Sequence, residues 1–129
     1  MRVDRDGFLS TLELNKNEVG NIKHSDIIKQ IDEKMKEHWG YGVGIYLEKQ
    51  CASTKRTVFS SLFNLLDFVC YRHDKSHTAR LYDSSHACFA QMCDILVTND
   101  KRMKIKTEAV YSYLGINTKV QTAEEFLNL

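Results

Sequence analysis

The hydrophobic positions of the chain repeat mainly at the spacing of an α-helix. The first such series follows Ser25 and Asp26, either of which can cap a helix, and it stops at Gly40, a typical C-terminal stop. Its apolar members are Ile27, Ile28, Ile31, Met35 and Trp39. This spacing predicts a helix between these limits.

A second helix is predicted from about Ser53 to Cys70. Its apolar face is wide, and its members are Val58, Phe59, Leu62, Phe63, Leu65, Leu66 and Val69. Four polar residues are left outside the face or at a contact: Ser60, Ser61, Asn64 and Asp67. A face of this width predicts burial against a sheet or two neighbouring elements, because a surface helix needs only a narrower stripe.

The last third of the chain alternates helices with short strands. A helix capped by Ser76 is expected to run to Cys93, and the apolar triplet Ile95-Leu96-Val97 predicts a parallel strand covered on both faces. The next helix begins at Asp100 or Lys101 and ends at Gly115, and a strand over 116–120 follows. Thr122 and Glu125 then have capping-box spacing. This order predicts a helix-rich α/β fold with a small parallel sheet.

The leading part of the chain is less regular. We interpret residues 1–129 as one domain, in which 1–50 is assigned only in part and 51–129 carries the recurrent pattern. Alternation at Leu12 and Leu14 indicates a strand over residues 8–14. The glycines of the stretch 39–44 fit a flexible connector or a bulged strand better than a phosphate loop.

Composition and charge narrow the classes of function. Hydrophobic residues make up 43% and charged residues 27%, as in a globular domain, and the formal net charge of +1 predicts no bulk attraction to nucleic acid or membranes. No apolar leader follows Met1, so the four cysteines are expected to be free thiols in a cytoplasmic protein with no membrane segment.

Two carboxylates are the main candidates for chemistry. Asp83 precedes an alanine-containing helical run, and Asp100 follows the strand which that helix feeds. Ligands collect at the carboxyl ends of parallel strands, and paired carboxylates suit Mg²⁺ or Mn²⁺. The structural alternative is equally concrete, since Asp before Ser-Ser and Asn-Asp after a strand are both common helix caps.

Three other patterns leave alternatives open. The basic residues Lys101, Arg102, Lys104 and Lys106, with Arg72, Lys75 and Arg80, either hold a nucleic-acid backbone or form a solvated helix face. A zinc site has tolerable spacing in a set of five residues: Cys70, His73, His77, His86 and Cys88. A Ser85-His86 catalytic pair is disfavoured, because adjacent helical residues point about 100° apart.

From Leu81 to Phe126 the chain reads LYDSSHACFAQMCDILVTNDKRMKIKTEAVYSYLGINTKVQTAEEF, which resembles the C-terminal half of a PIN domain. The resemblance lies in the order of an Asp, a helix, a strand ending in Thr-Asn-Asp, a helix, Gly-Ile, a short strand and Thr-x-Glu-Glu-Phe. It implies a three-layer α/β/α fold and metal-dependent ribonuclease activity, as in many toxins of bacterial toxin–antitoxin pairs. RNA and an antitoxin-like protein are the partners it implies.

Carried over by position, the resemblance makes Asp83 and Asp100 ligands of Mg²⁺ or Mn²⁺ with catalytic roles. It places Thr98 and Asn99 as supporting polar residues at the same edge. Lys101, Arg102 and Lys104 follow directly on Asp100, and this position makes them the candidate nucleic-acid contacts beside the site. The family's opening strand, which ends in an Asp, has no match here, and Glu13, Glu18 and Glu48 remain equivalent candidates for its helix acid. Two interpretations follow: the chain is the C-terminal portion of a longer enzyme, with a fold that another chain could complete, or it is a diverged relative. The alternative function is a non-catalytic interaction or nucleic-acid-binding module.

Overall fold

The computed structural model describes residues 16–50, 53–69, 71–72 and 77–128, and every structural statement below refers to these. They form a helix-rich α/β structure with one small sheet. The helices are α1 (Lys16–Gly20), α2 (Ile27–Trp39), α3 (Val43–Lys49), α4 (Lys55–Phe68), α5 (His77–Ala90), α6 (Lys101–Leu114) and α7 (Ala123–Leu127). The strands are β1 (Ile95–Val97) and β2 (Lys119–Gln121).

The helix ends follow the capping signals in the sequence. Gly40 ends α2 and Gly115 ends α6, both with a positive φ that a residue bearing a Cβ adopts only with strain. Thr54 caps α4, and Thr122 caps α7 through the predicted capping box with Glu125. Asp26 precedes α2 without a side-chain capping hydrogen bond, so this helix is positioned by its buried face instead.

The core lies among α4, α5 and α6, with α2 packed on α6. The wide apolar face of α4 is buried between the two neighbouring helices α5 and α6, which confirms one of the two expected modes of burial. The fully or nearly fully buried side chains of α4 are Phe59, Leu62, Phe63, Leu65 and Leu66, and Asp67 is buried with them.

The sheet contains β1 and β2, which are parallel, with Leu96 opposite Val120. Leu96 and Val120 face the core, and α6 provides the crossover between the strands. Ile95 and Val97 point to the opposite face and are 37% and 41% exposed. The expectation that β1 is covered on both faces is therefore wrong: within the described part of the chain, one face of this strand is open.

Several short elements differ from the sequence expectations. The stretch 39–44 is a connector between two helices and not a bulged strand: Gly40 ends α2, Gly42 precedes α3, and Gly44 lies within α3. Helices α1 and α3 were not expected, and β2 begins three residues later than the predicted strand. The strand predicted over 8–14 lies outside the described residues. None of the described helices has the length and apolar character required to cross a bilayer.

Candidate metal site at the carboxyl edge of the sheet

The loop after β1 is organised by its own polar side chains. The Asp100 Oδ1 atom accepts hydrogen bonds from the backbone N–H groups of Arg102 (3.0 Å) and Met103 (3.1 Å), which makes Asp100 the N-cap of α6. Thr98 Oγ1 accepts from the N–H of Asp100 at 3.2 Å. The capping alternative for Asp100 is thus realised, and both capping hydrogen bonds use Oδ1 of the carboxylate.

Asn99 connects the two loops at this edge of the sheet. Its Oδ1 atom accepts a hydrogen bond from the N–H of Ala123 at 3.0 Å, at the first residue of α7. The strand ladder continues beside it, because the N–H of Thr98 donates to the carbonyl of Gln121 at 2.9 Å. Asn99 therefore supports the edge structurally, by holding the loop after β1 against the loop after β2.

Asp83 lies in the middle of α5 and is partly buried. Its helix contacts both β1 and α6, the elements on either side of Asp100, so the fold brings the elements carrying the two carboxylates together. Among the described residues, no group of three or more His, Cys, Asp and Glu side chains is arranged to hold a metal ion. Any cation at this edge would consequently rest on two carboxylates at most within that part of the chain.

A buried ion pair lies between α4 and α6. The Lys106 side chain is completely buried, and its Nζ donates to Asp67 Oδ1 at 2.9 Å. Arg80 of α5 contributes a second cation, with Nη1 3.6 Å from Asp67 Oδ2. Lys106 Nζ also lies 5.6 Å from the centre of the Phe63 ring. Together these residues link three helices through one desolvated carboxylate.

Both sequence interpretations of Lys106 are wrong. It neither contacts solvent on a polar helix face nor is available to a nucleic-acid backbone, because it lies on the face of α6 that is buried. The helical spacing contained the signal: Lys106 follows Met103 by three residues and precedes Val110 by four, and both are buried. The position of Lys106 in the helical repeat, and not its charge, indicates that it is buried.

The other basic residues of α6 differ in how accessible they are to an anionic ligand. Lys101 and Arg102 are exposed at the helix N-terminus, directly beside Asp100. Lys104 is partly buried, and its Nζ lies 2.9 Å from Glu108 and 4.0 Å from Glu125. Lys101 and Arg102 are consequently better placed than Lys104 to meet an anionic ligand.

Two ionisable groups near this region have shifted pKa values. Hydrogen bonds from the backbone N–H and side chain of Thr122 lower the pKa of the Glu125 carboxyl, so the capping box is maintained in its ionised form. Burial, reinforced by Cys88 and Cys93, raises the pKa of Tyr111 to about 12. The Tyr111 hydroxyl therefore stays neutral and donates to the carbonyl of Ala87 at 2.6 Å, which fixes α6 against α5.

The proposed zinc ligands fall largely outside the described part of the chain, which omits Cys70 and His73 and the side chain of His77. Of the remaining two, His86 is exposed whereas Cys88 is buried with a free thiol. These two residues are two positions apart on α5, about 200° around the helix, so their side chains point in different directions.

Comparison with known proteins leaves the resemblance to PIN domains as an interpretation of the sequence. No model of a protein family, no curated protein and no solved structure gives a significant match to this chain.

Proposed function

We propose that this chain is a PIN-like module that binds Mg²⁺ or Mn²⁺ and acts on RNA phosphodiesters, with Asp83 and Asp100 as the metal-binding carboxylates. The observation that carries the proposal is the position of Asp100, directly after a parallel strand and at the start of α6. Ligands of open parallel sheets bind at this edge.

The donor set is suited to a hard divalent cation. Carboxylate oxygens are the ligands that Mg²⁺ and Mn²⁺ prefer, and a site with only two protein ligands leaves most of the coordination sphere to water and phosphate oxygens. A bound cation supplies charge neutralisation at a phosphate and a more acidic water. Asp100 Oδ1 would keep its capping role, while Lys101 and Arg102 beside it would attract the phosphate backbone.

The test compares metal binding by the wild-type chain and by a double variant, Asp83→Asn with Asp100→Asn. Asn preserves the shape of both side chains and the capping acceptor at position 100, while it removes both negative charges. Asp94→Asn is the matched control, because Asp94 is an exposed carboxylate at the opposite end of β1.

Isothermal titration with Mn²⁺ should show binding by the wild type and by the control, and at least a tenfold weaker affinity in the double variant. Cleavage of single-stranded RNA should follow the same order and stop when a chelator is added. Equal Mn²⁺ affinity in all three proteins would refute the site assignment.

A second candidate is a non-catalytic interaction module. It is favoured by the open face of β1 and by the large apolar side chains exposed on α5, since surfaces of this type commonly bind other proteins. A chain that binds RNA or protein with no effect of divalent cations, and that cleaves no RNA, would support this candidate over the first.

A further inference from the structure

The largest concentration of exposed apolar side chains lies on α5 and β1. Six of the ten large hydrophobic residues exposed in the described part of the chain fall within positions 81–97. They are Leu81, Tyr82, Phe89, Met92, Ile95 and Val97, and we call them the α5–β1 surface. The most exposed are Phe89 at 66% and Met92 at 87%.

These residues form one continuous region and not scattered positions. At 100° per residue, Leu81, Tyr82 and Phe89 lie within about 100° of one another around α5. Met92 follows the helix and lines the same depression as Ile95 of β1. The apolar side of the helix thus continues onto the open face of the strand.

Between Asp83 and Asp94, the surface lacks the charges that solvated helix faces normally carry. No Asp, Glu, Lys or Arg occurs from Ser84 to Cys93. Ala87, on the opposite side of α5, is buried against the core. Cys88 is buried too, although it lies only about 20° from Leu81 around the helix. Because α5 exposes apolar side chains as well as burying them, its exposed side resembles a surface that binds another molecule.

The outer edge of β1 carries backbone groups that pair with no other strand among the described residues. Asp94 and Thr98 direct backbone groups toward β2, through the bonds Lys119 N–H to Asp94 O and Thr98 N–H to Gln121 O. Backbone groups of a strand alternate in direction, so those of Ile95 and Val97 point to the other edge, where the described sheet has no further strand.

We propose that this surface binds a second copy of the chain, with the two β1 strands pairing antiparallel about a two-fold axis at Leu96. In that register Ile95 lies opposite Val97 of the second copy, and each such pair exchanges two backbone hydrogen bonds. All four outward groups of each β1 edge are then satisfied. The inference goes beyond the proposed function and does not depend on the metal site.

Charge and area both fit this occupant. The register places Asp94 opposite Thr98 of the second copy, so no like charges face each other along the strands. The net charge of +1 produces little electrostatic repulsion between the two copies. With side-chain areas of about 200 Å² each, the exposed fractions of the six residues amount to roughly 700 Å² per chain. A standard interface buries about 800 Å² per partner.

Four variants test the proposal. Phe89→Asp places a charge in the centre of the surface, and Phe126→Asp is its control, because Phe126 is an exposed aromatic residue of α7 outside the surface. Val97→Pro removes an outward N–H that the β1–β2 ladder does not use, whereas Val97→Thr keeps that N–H in a side chain of similar shape.

Sedimentation velocity over a range of concentrations around 10 µM, with a chelator present, should show a dimer of the wild type. We expect Phe89→Asp and Val97→Pro to weaken association at least tenfold, while Phe126→Asp and Val97→Thr behave as the wild type. Circular dichroism verifies that each variant is folded.

Amide hydrogen exchange of the wild type provides a second measurement that needs no variant. The Ile95 and Val97 amides should become protected as the concentration rises. A wild-type chain that stays monomeric at the highest concentration would overturn the proposal, as would an association that Phe89→Asp leaves intact. Protection of both amides at every concentration would place a segment of the same chain on this edge and would overturn it too.

Discussion

At the scale of single residues, position on a helix determines the role of a side chain more strongly than its charge does. Lys101 and Lys106 are both lysines of α6, yet Lys101 is exposed and Lys106 is completely buried. Asp32 shows the same dependence on surroundings. Burial alone would raise the pKa of its carboxyl, but hydrogen bonds from Lys36 and from the N–H of Val43 outweigh burial and keep the pKa below its usual value.

Glycine is favoured at position 42 because the Asp32 carboxylate lies close to the backbone there. A Cβ at position 42 would collide with Oδ1 of Asp32 and lie 2.9 Å from Cε of Lys36. We predict that Gly42→Ala lowers the free energy of unfolding by about 1–3 kcal/mol, because Asp32 must leave the N–H of Val43. Urea denaturation measures the change.

Gly44→Ala is the matched control and should change stability in the opposite direction. Gly44 lies within α3 and a Cβ there meets nothing within 4 Å, so Ala should raise the free energy of unfolding by about 0.5–1 kcal/mol. If the two variants were equally stable, the account of Gly42 would be wrong.

At the scale of elements, the sequence predicted the helix ends, which depend on neighbouring residues. It did not predict the short helices or the exposed face of β1. The ends of α2, α6 and α7 follow caps that are visible in the sequence. Helices α1 and α3 have only five and seven residues, too few for a helical repeat to stand out. The open face of β1 was missed because an apolar triplet specifies a strand and says nothing about what covers each side.

Asp100 could stabilise α6 through its capping oxygen or through its negative charge, and two substitutions separate these effects. We predict that Asp100→Ala lowers the free energy of unfolding by about 1–2 kcal/mol through loss of the α6 cap, whereas Asp100→Asn changes it by about 0.5 kcal/mol or less. Chemical denaturation of both variants measures the difference. Equal losses would mean that the charge, and not the capping acceptor, is what α6 requires.

At the scale of the whole molecule, the ion pair of Asp67 and Lys106 is the buried polar contact between α4 and α6 in the described residues, and Arg80 connects it to α5. The sequence pattern leaves Asp67 either outside the apolar face or at a contact, and in the structure it is buried at a contact. Its partner could not be identified from the sequence, because the two residues are 39 positions apart. Pairings at that separation are set by how the helices pack.

We predict that Lys106→Met destabilises the chain by about 2–3 kcal/mol, because the buried Asp67 carboxylate loses its hydrogen bond from Lys106 and keeps Arg80 as a cation. The double variant Asp67→Leu with Lys106→Met should recover most of that loss, because it replaces the ion pair with apolar side chains. Arg80 loses its partner in this variant, but it is partly exposed and can be hydrated by water. Guanidinium denaturation of both single variants and the double variant gives the coupling energy. Strictly additive losses would contradict this prediction.

The hydrogen bond from Ala123 to Asn99 has a mechanical consequence for any ligand that reaches this rim. Because the Asn99 amide oxygen accepts the first N–H of α7, an outward movement of either loop alone must break this hydrogen bond, at a cost of about 0.5–1.5 kcal/mol. A long polymer lying across this edge would therefore contact two loops that are joined to each other, and a ligand that separates them would bind less tightly by that amount.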